Sequence, residues 1–143
     1  MGRNLKSLIK LHEWNLDERR RELGDLLREY DGLVNQKETL ISQVAKEQEI
    51  ASQSDDFIVG ASFGPFAMAS RMRREQLDGM IAAKNQQVED ARDRLNEVYK
   101  ELKTYEITQA NRERREAEER DRKEQAFLDE MGMLAHQRKD VDL

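Results

Sequence analysis

Apolar side chains recur at alternating spacings of three and four through two long stretches of the sequence, with polar residues filling the positions between. In the first stretch the series runs Leu5, Ile9, His12, Leu16, Arg19, Leu23, Leu26, Tyr30, Leu33, Lys37, Leu40, Val44, Glu47 and Ala51. In the second it runs Arg74, Leu77, Ile81, Lys84, Val88, Ala91, Leu95, Val98, Leu102 and Tyr105. A spacing that averages about 3.5 keeps one face of an α-helix turned toward a partner helix, which is the heptad seam of a coiled coil. Between the stretches lies SQSDDFIVGASFGPF, residues 52–66, holding Gly60, Gly64 and the chain's one proline, Pro65. Proline suits the first turn of a helix, where its missing N–H has no partner to lose. The pattern therefore predicts an all-α fold, a long antiparallel two-helix coiled-coil hairpin with a C-terminal helical overhang, forming a single domain over 1–143. Helix one is expected over about 3–52, the turn over 53–64 and helix two over about 65–138. Gly24, Gly32 and Gly79 fall inside these helices at about 1 kcal/mol each relative to Ala, a cost that seam burial must offset.

An antiparallel pair sets the a positions of one helix opposite the d positions of the other. Pairing residues whose numbers sum to 121 meets this condition: Leu16 meets Tyr105, Leu23 meets Val98, Tyr30 meets small Ala91, Leu40 meets Ile81, Glu47 meets Arg74 and His12 meets Gln109. It also sets Lys37 against Lys84, a like-charge layer that weakens the middle of the hairpin unless both stems snorkel to water. In this register Met1 falls opposite Arg120, so the last 23 residues project about 35 Å as an overhang. Ahead of them, Glu116, Glu118 and Glu119 each stand four residues before Arg120, Arg122 and Lys123, an arrangement that supports a solvated single helix.

Composition narrows the function classes. With 143 residues, 38% charged and 6% aromatic and a mean hydropathy of −0.96, the chain is too polar for a multilayer core and too periodic for disorder. Both charge signs are interspersed and sum to −5, which disfavours nucleic acid, whose phosphates need a concentrated basic surface. Arg71, Arg73 and Arg74 form a compact basic cluster and read as a solvated helix face. There is no cysteine, hence no disulfide framework and no thiolate metal site. No signal-peptide core and no span of about 20 apolar residues is visible, so a soluble cytoplasmic protein is expected. Gly2 suggests myristoylation, but Lys6 stands where that motif wants Ser or Thr.

The residues offer no catalytic, metal or cofactor constellation. His12 reads as a polar seam residue and His136 as a tail residue, without the spacing or partners of a metal or acid–base site. Asp55 and Asp56 fit a turn. Phe57, Phe63 and Phe66 cluster at the hairpin tip with Ile58, Val59, Met68 and Met72, and two readings stand open there: a small closed cap core, or a docking patch. At the other end, Phe127, Met131 and Leu134 lie at i, i+4 and i+7 with no second wall in this chain to cover them. Leu5, Leu8, Ile9 and Leu11 are poorly covered in the expected register, so both chain ends offer candidate partner-binding residues.

Three segments, SLIKLHEWNLDERRRELGDL, RMRREQLDGMIAAK and RERREAEERDRKEQAFLDEMGMLAHQR, resemble the flagellar export protein FliJ family, especially its alphaproteobacterial branch, and the likeness covers nearly the whole chain. The resemblance implies a nonenzymatic coiled-coil stalk like the γ subunit of rotary ATPases. Its chain ends would enter the ring of the export ATPase FliI and promote ring assembly, and it would couple that ring to the export gate protein FlhA while exchanging with export chaperones. Such a protein would work at the cytoplasmic face of the inner membrane, held there through its partners. The rival readings are a prefoldin-like holdase, for which the alternating strand pattern of an assembly hairpin is missing, and a purely structural coiled-coil scaffold.

Overall fold

The computed structural model describes residues 5–141. Two helices account for them: α1, Lys6–Gln53, of 48 residues, and α2, Phe57–Val141, of 85 residues. They pack against each other as a helical hairpin, and no strand occurs among the described residues. By packing the chain divides into two compact units, one of residues 14–98 and one that joins residues 1–13 to 99–143.

In the unit of residues 14–98, the buried side chains are Leu16, Ser70, Leu77, Val88, Ala91 and Val98. Every apolar member of this set lies on the expected seam. Leu23, Leu26, Tyr30, Leu33, Leu40, Val44, Ile81 and Leu95 are half-buried along the same faces. Arg74 and Glu47, expected to pair, are both exposed. Gly32 and Gly79 have open space where a Cβ would stand.

The turn is shorter than its sequence signals suggest. Instead of 53–64 it comprises only Ser54, Asp55 and Asp56, because Asp56 supplies the N-cap of α2. Its Oδ1 accepts the Ile58 N–H at 2.9 Å, and its own N–H donates to Ser54 Oγ at 3.1 Å. A side-chain oxygen that satisfies an orphan N–H of the first turn is what starts a helix. Pro65 consequently lies inside α2, where it forgoes a backbone hydrogen bond. Asp56→Ala should lower stability by about 1 kcal/mol, read as a reduced urea midpoint with helicity otherwise retained.

The shorter turn moves the register. Lys84 Nζ sits 2.7 Å from Glu29, Lys37 Nζ 2.6 Å from Asp78, and Arg94 Nη2 2.6 Å from Glu22. Each α2 residue thus meets α1 about one heptad nearer the N-terminus than the expected pairing required. Lys37 and Lys84 do not share a layer, and each has a carboxylate partner. A slip of one heptad keeps the same faces in contact, so the buried set survives while the pairs change.

The Arg94 guanidinium, with Arg19 second, holds the Glu22 carboxyl below its usual value, against a smaller upward push from burial. A lowered folded-state pKa means that this pair stabilises fully above the ordinary Glu value of about 4.3 and is lost as pH falls through the depressed value. Glu22→Gln should therefore flatten the acid limb of a plot of melting temperature against pH, with little change in its shape above about pH 5.

Candidate functional site

In the unit that joins residues 1–13 to 99–143, Leu102 is buried and Leu5, Leu8 and Ile9 are half-buried. The register explains that cover. The Leu5 N–H donates to Gln109 Oε1 at 3.1 Å, where the expected pairing gave Gln109 to His12. His12 instead stacks on Tyr105, with ring centroids 4.8 Å apart, and its Nδ1 lies 3.8 Å from Glu101 Oε2, too long for a hydrogen bond. Its Nδ1 is buried without a hydrogen-bond partner. Leu5, Leu8 and Ile9 are thus seam residues rather than an open face, a correction to the expected poor cover. The expected pairing of Met1 with Arg120 lies outside the described residues.

The C-terminal stretch of α2 behaves differently. From Glu118 to Val141 every residue is exposed, including Phe127 at 60%, Met131 at 49% and Leu134 at 49%. Helical spacing puts these three on one stripe, and Val141, a heptad beyond Leu134, extends it. The preceding turns, from Glu113 to Glu124, are almost wholly charged. Arg138 and Lys139 in the last turn complement the negative end of the helix dipole. The stripe has no cover within its unit.

A second apolar surface lies at the tip, within the unit of residues 14–98. Phe57 is 85% exposed, and Ile58, Met68 and Met72 are exposed with it. Phe63 and Val59 are half-buried on the seam side, and the Phe63 and Phe66 rings lie 6.5 Å apart. Of the two readings of the tip, the closed cap core does not match these exposures, because Phe57, Ile58, Met68 and Met72 face outward. Trp14 is exposed on α1 as well.

Among the described residues no group of His, Asp and Glu side chains is placed to hold a metal ion. A groove of about 430 Å³ beside Leu40, Ile41 and Val44 is bordered by Ser70, Arg71 and Arg74, without a neighbouring acid–base pair. Among the described residues no helix is long and apolar enough to cross a membrane. What the described residues present is exposed apolar surface, at the tip and along the C-terminal stretch of α2.

Sequence reasoning found the C-terminal stripe and the tip cluster, Ile58, Met68 and Met72 among it, but did not decide between a closed cap and a docking patch there. The signal was present: from Phe57 to Ser70 there is no charged residue, in a chain otherwise rich in them.

Against known proteins, a family model described as the flagellar FliJ protein matches residues 1–140. Neither the curated proteins nor the solved structures give a significant match.

Proposed function

This chain belongs to the FliJ family of flagellar proteins and is thereby a component of the flagellar export apparatus, and we propose that within it the chain is a nonenzymatic stalk and adaptor. In this reading its C-terminal stripe docks in the ring of the export ATPase FliI and promotes ring assembly. The tip contacts the export gate protein FlhA, and export chaperones exchange on the same adaptor. The protein works on the cytoplasmic side, at the inner membrane, through these partners.

The observation that carries the reading is the uncovered stripe of Phe127, Met131 and Leu134, preceded by turns of mixed charge. An apolar stripe at helical spacing is normally a core face, and here the missing wall must come from another chain. A ring with an apolar collar and a polar channel supplies both parts of that wall.

The purified chain should stimulate assembly and turnover of the ATPase ring while leaving the aggregation of a model unfolded client unchanged. Suppressed aggregation without ATPase stimulation would favour the holdase reading, and neither effect would favour a passive scaffold. At the tip, Phe57→Ser should leave stability within about 0.5 kcal/mol, as for an exposed residue, yet weaken binding to the gate protein in a pull-down. A large loss of melting temperature would show instead that Phe57 serves the hairpin's own packing.

A further inference from the structure

The first four turns of α2 are apolar on both sides. Val59, Phe63, Ala67 and Ser70 face the seam, half-buried or buried. The opposite face carries Phe57, Ile58, Ala61, Gly64, Pro65, Met68 and Met72, all exposed. A helix segment that carries large apolar side chains on two faces calls for a second wall. The two ends of this face differ in charge: Asp55 and Asp56 precede it, and Arg71, Arg73 and Arg74 follow it. Asp55 and Arg74 have no ion-pair partner among the described residues, and Arg71 has only Glu75 of its own helix, at 3.7 Å.

We propose that this face pairs with the same face of a second copy of the chain, the two α2 segments running antiparallel about a two-fold axis near Gly64. Such an isologous contact requires a surface complementary to itself, and the sequence of the face is. About that axis Phe57 of one copy meets Met72 of the other, an aromatic–sulfur contact. Ala61 meets Met68, small against large. The acidic pair at the start of each face reaches the Arg71 and Arg73 guanidiniums at the end of the other. Gly64 stands at the crossing. A Cβ there would meet nothing within 4 Å in the single chain, so its absence brings no closer packing inside the hairpin, whereas at a crossing it lets two backbones approach. An anionic lipid surface fits the face less well, because Asp55 and Asp56 would lie against its headgroups.

The inference goes beyond the stalk reading and does not depend on it. Pairing would occupy the surface proposed to meet the gate protein, so the paired form would be held back from docking. Two such faces bury on the order of 1,000 Å², in the class of weak and transient contacts, with an expected dissociation constant on the order of 100 μM.

Sedimentation equilibrium of the full-length chain from about 10 μM to about 1 mM spans that range. Asp55→Lys and Arg71→Asp, both exposed positions, should each weaken the dimer about tenfold, equivalent to about 1.4 kcal/mol. The two changes combined should restore it. Gly64→Leu should abolish pairing, with circular dichroism reporting retained helix. A chain lacking residues 126–143 should pair as the full chain does. A monomer at every concentration overturns the proposal, as does a double variant no better than the single ones. Loss of pairing on deleting 126–143 would reassign self-association to the C-terminal stripe. Co-sedimentation of the monomer with phosphatidylglycerol vesicles, abolished by Arg71→Asp, would make the face a membrane surface instead.

Discussion

Deleting residues 126–143 should abolish stimulation of the export ATPase ring while leaving the hairpin folded. The deleted residues that the structure describes are all exposed, and none of the buried side chains is among them. Their loss removes no seam contact, so the melting temperature should shift little. What goes is the stripe of Phe127, Met131 and Leu134, three large apolar side chains whose burial in a partner is worth about 1.5–3 kcal/mol each before the costs of association. Even a third of that sum lowers affinity by about tenfold or more. The concentration of chain needed for half-maximal ring stimulation should rise by at least that factor. Wild-type concentration dependence in the truncated protein would remove the stripe from the ring contact.

The second large effect concerns stability. Leu77 is 2% exposed, the one large side chain that is fully buried among the described residues, and it sits on the seam of a two-helix fold with little else to share the load. Leu77→Ala should cost about 2–4 kcal/mol, the lost transfer energy plus the cavity left by incomplete collapse. For a chain of this size that corresponds to a fall in melting temperature of roughly 5–15 °C. The exposed Met80, three residues on, provides the control: Met80→Ala should change stability by less than about 0.5 kcal/mol. Equal losses at the two positions would mean that the seam is not where the heptads and the burial place it.

The faces of both helices were legible because heptad spacing depends only on local geometry: Leu16, Leu77, Val88, Ala91, Val98 and Leu102 are all seam positions in the sequence and all buried. Pairing was less legible for a specific reason. A heptad pattern is nearly unchanged by a slip of seven residues, so side-chain matching alone ranks neighbouring registers as near equals, and the turn decides among them. Gly60, Gly64 and Pro65 look like turn residues, whereas the local contest was won by Asp56, whose capping bond starts α2 eight residues before Pro65. That choice moved Lys84 from Lys37 to Glu29 and gave Leu5 a neighbour in Gln109. The same slip explains why Leu5, Leu8 and Ile9 of the expected N-terminal site are seam while the C-terminal stripe stayed open. Phe127, Met131 and Leu134 have no intramolecular mate in either register, so their exposure followed from the sequence whichever pairing held.

The central claim is that the C-terminal stripe of this flagellar export component seats in the export ATPase. The most direct measurement places a photocrosslinking amino acid at Met131, exposed and central to the stripe, in the full-length chain expressed in flagellated cells. The account predicts a crosslinked species that contains the export ATPase and is absent when the probe is moved to exposed Ser42. A Met131 probe that crosslinks only to another copy of the chain, or to the ATPase no more than the Ser42 probe does, would contradict it.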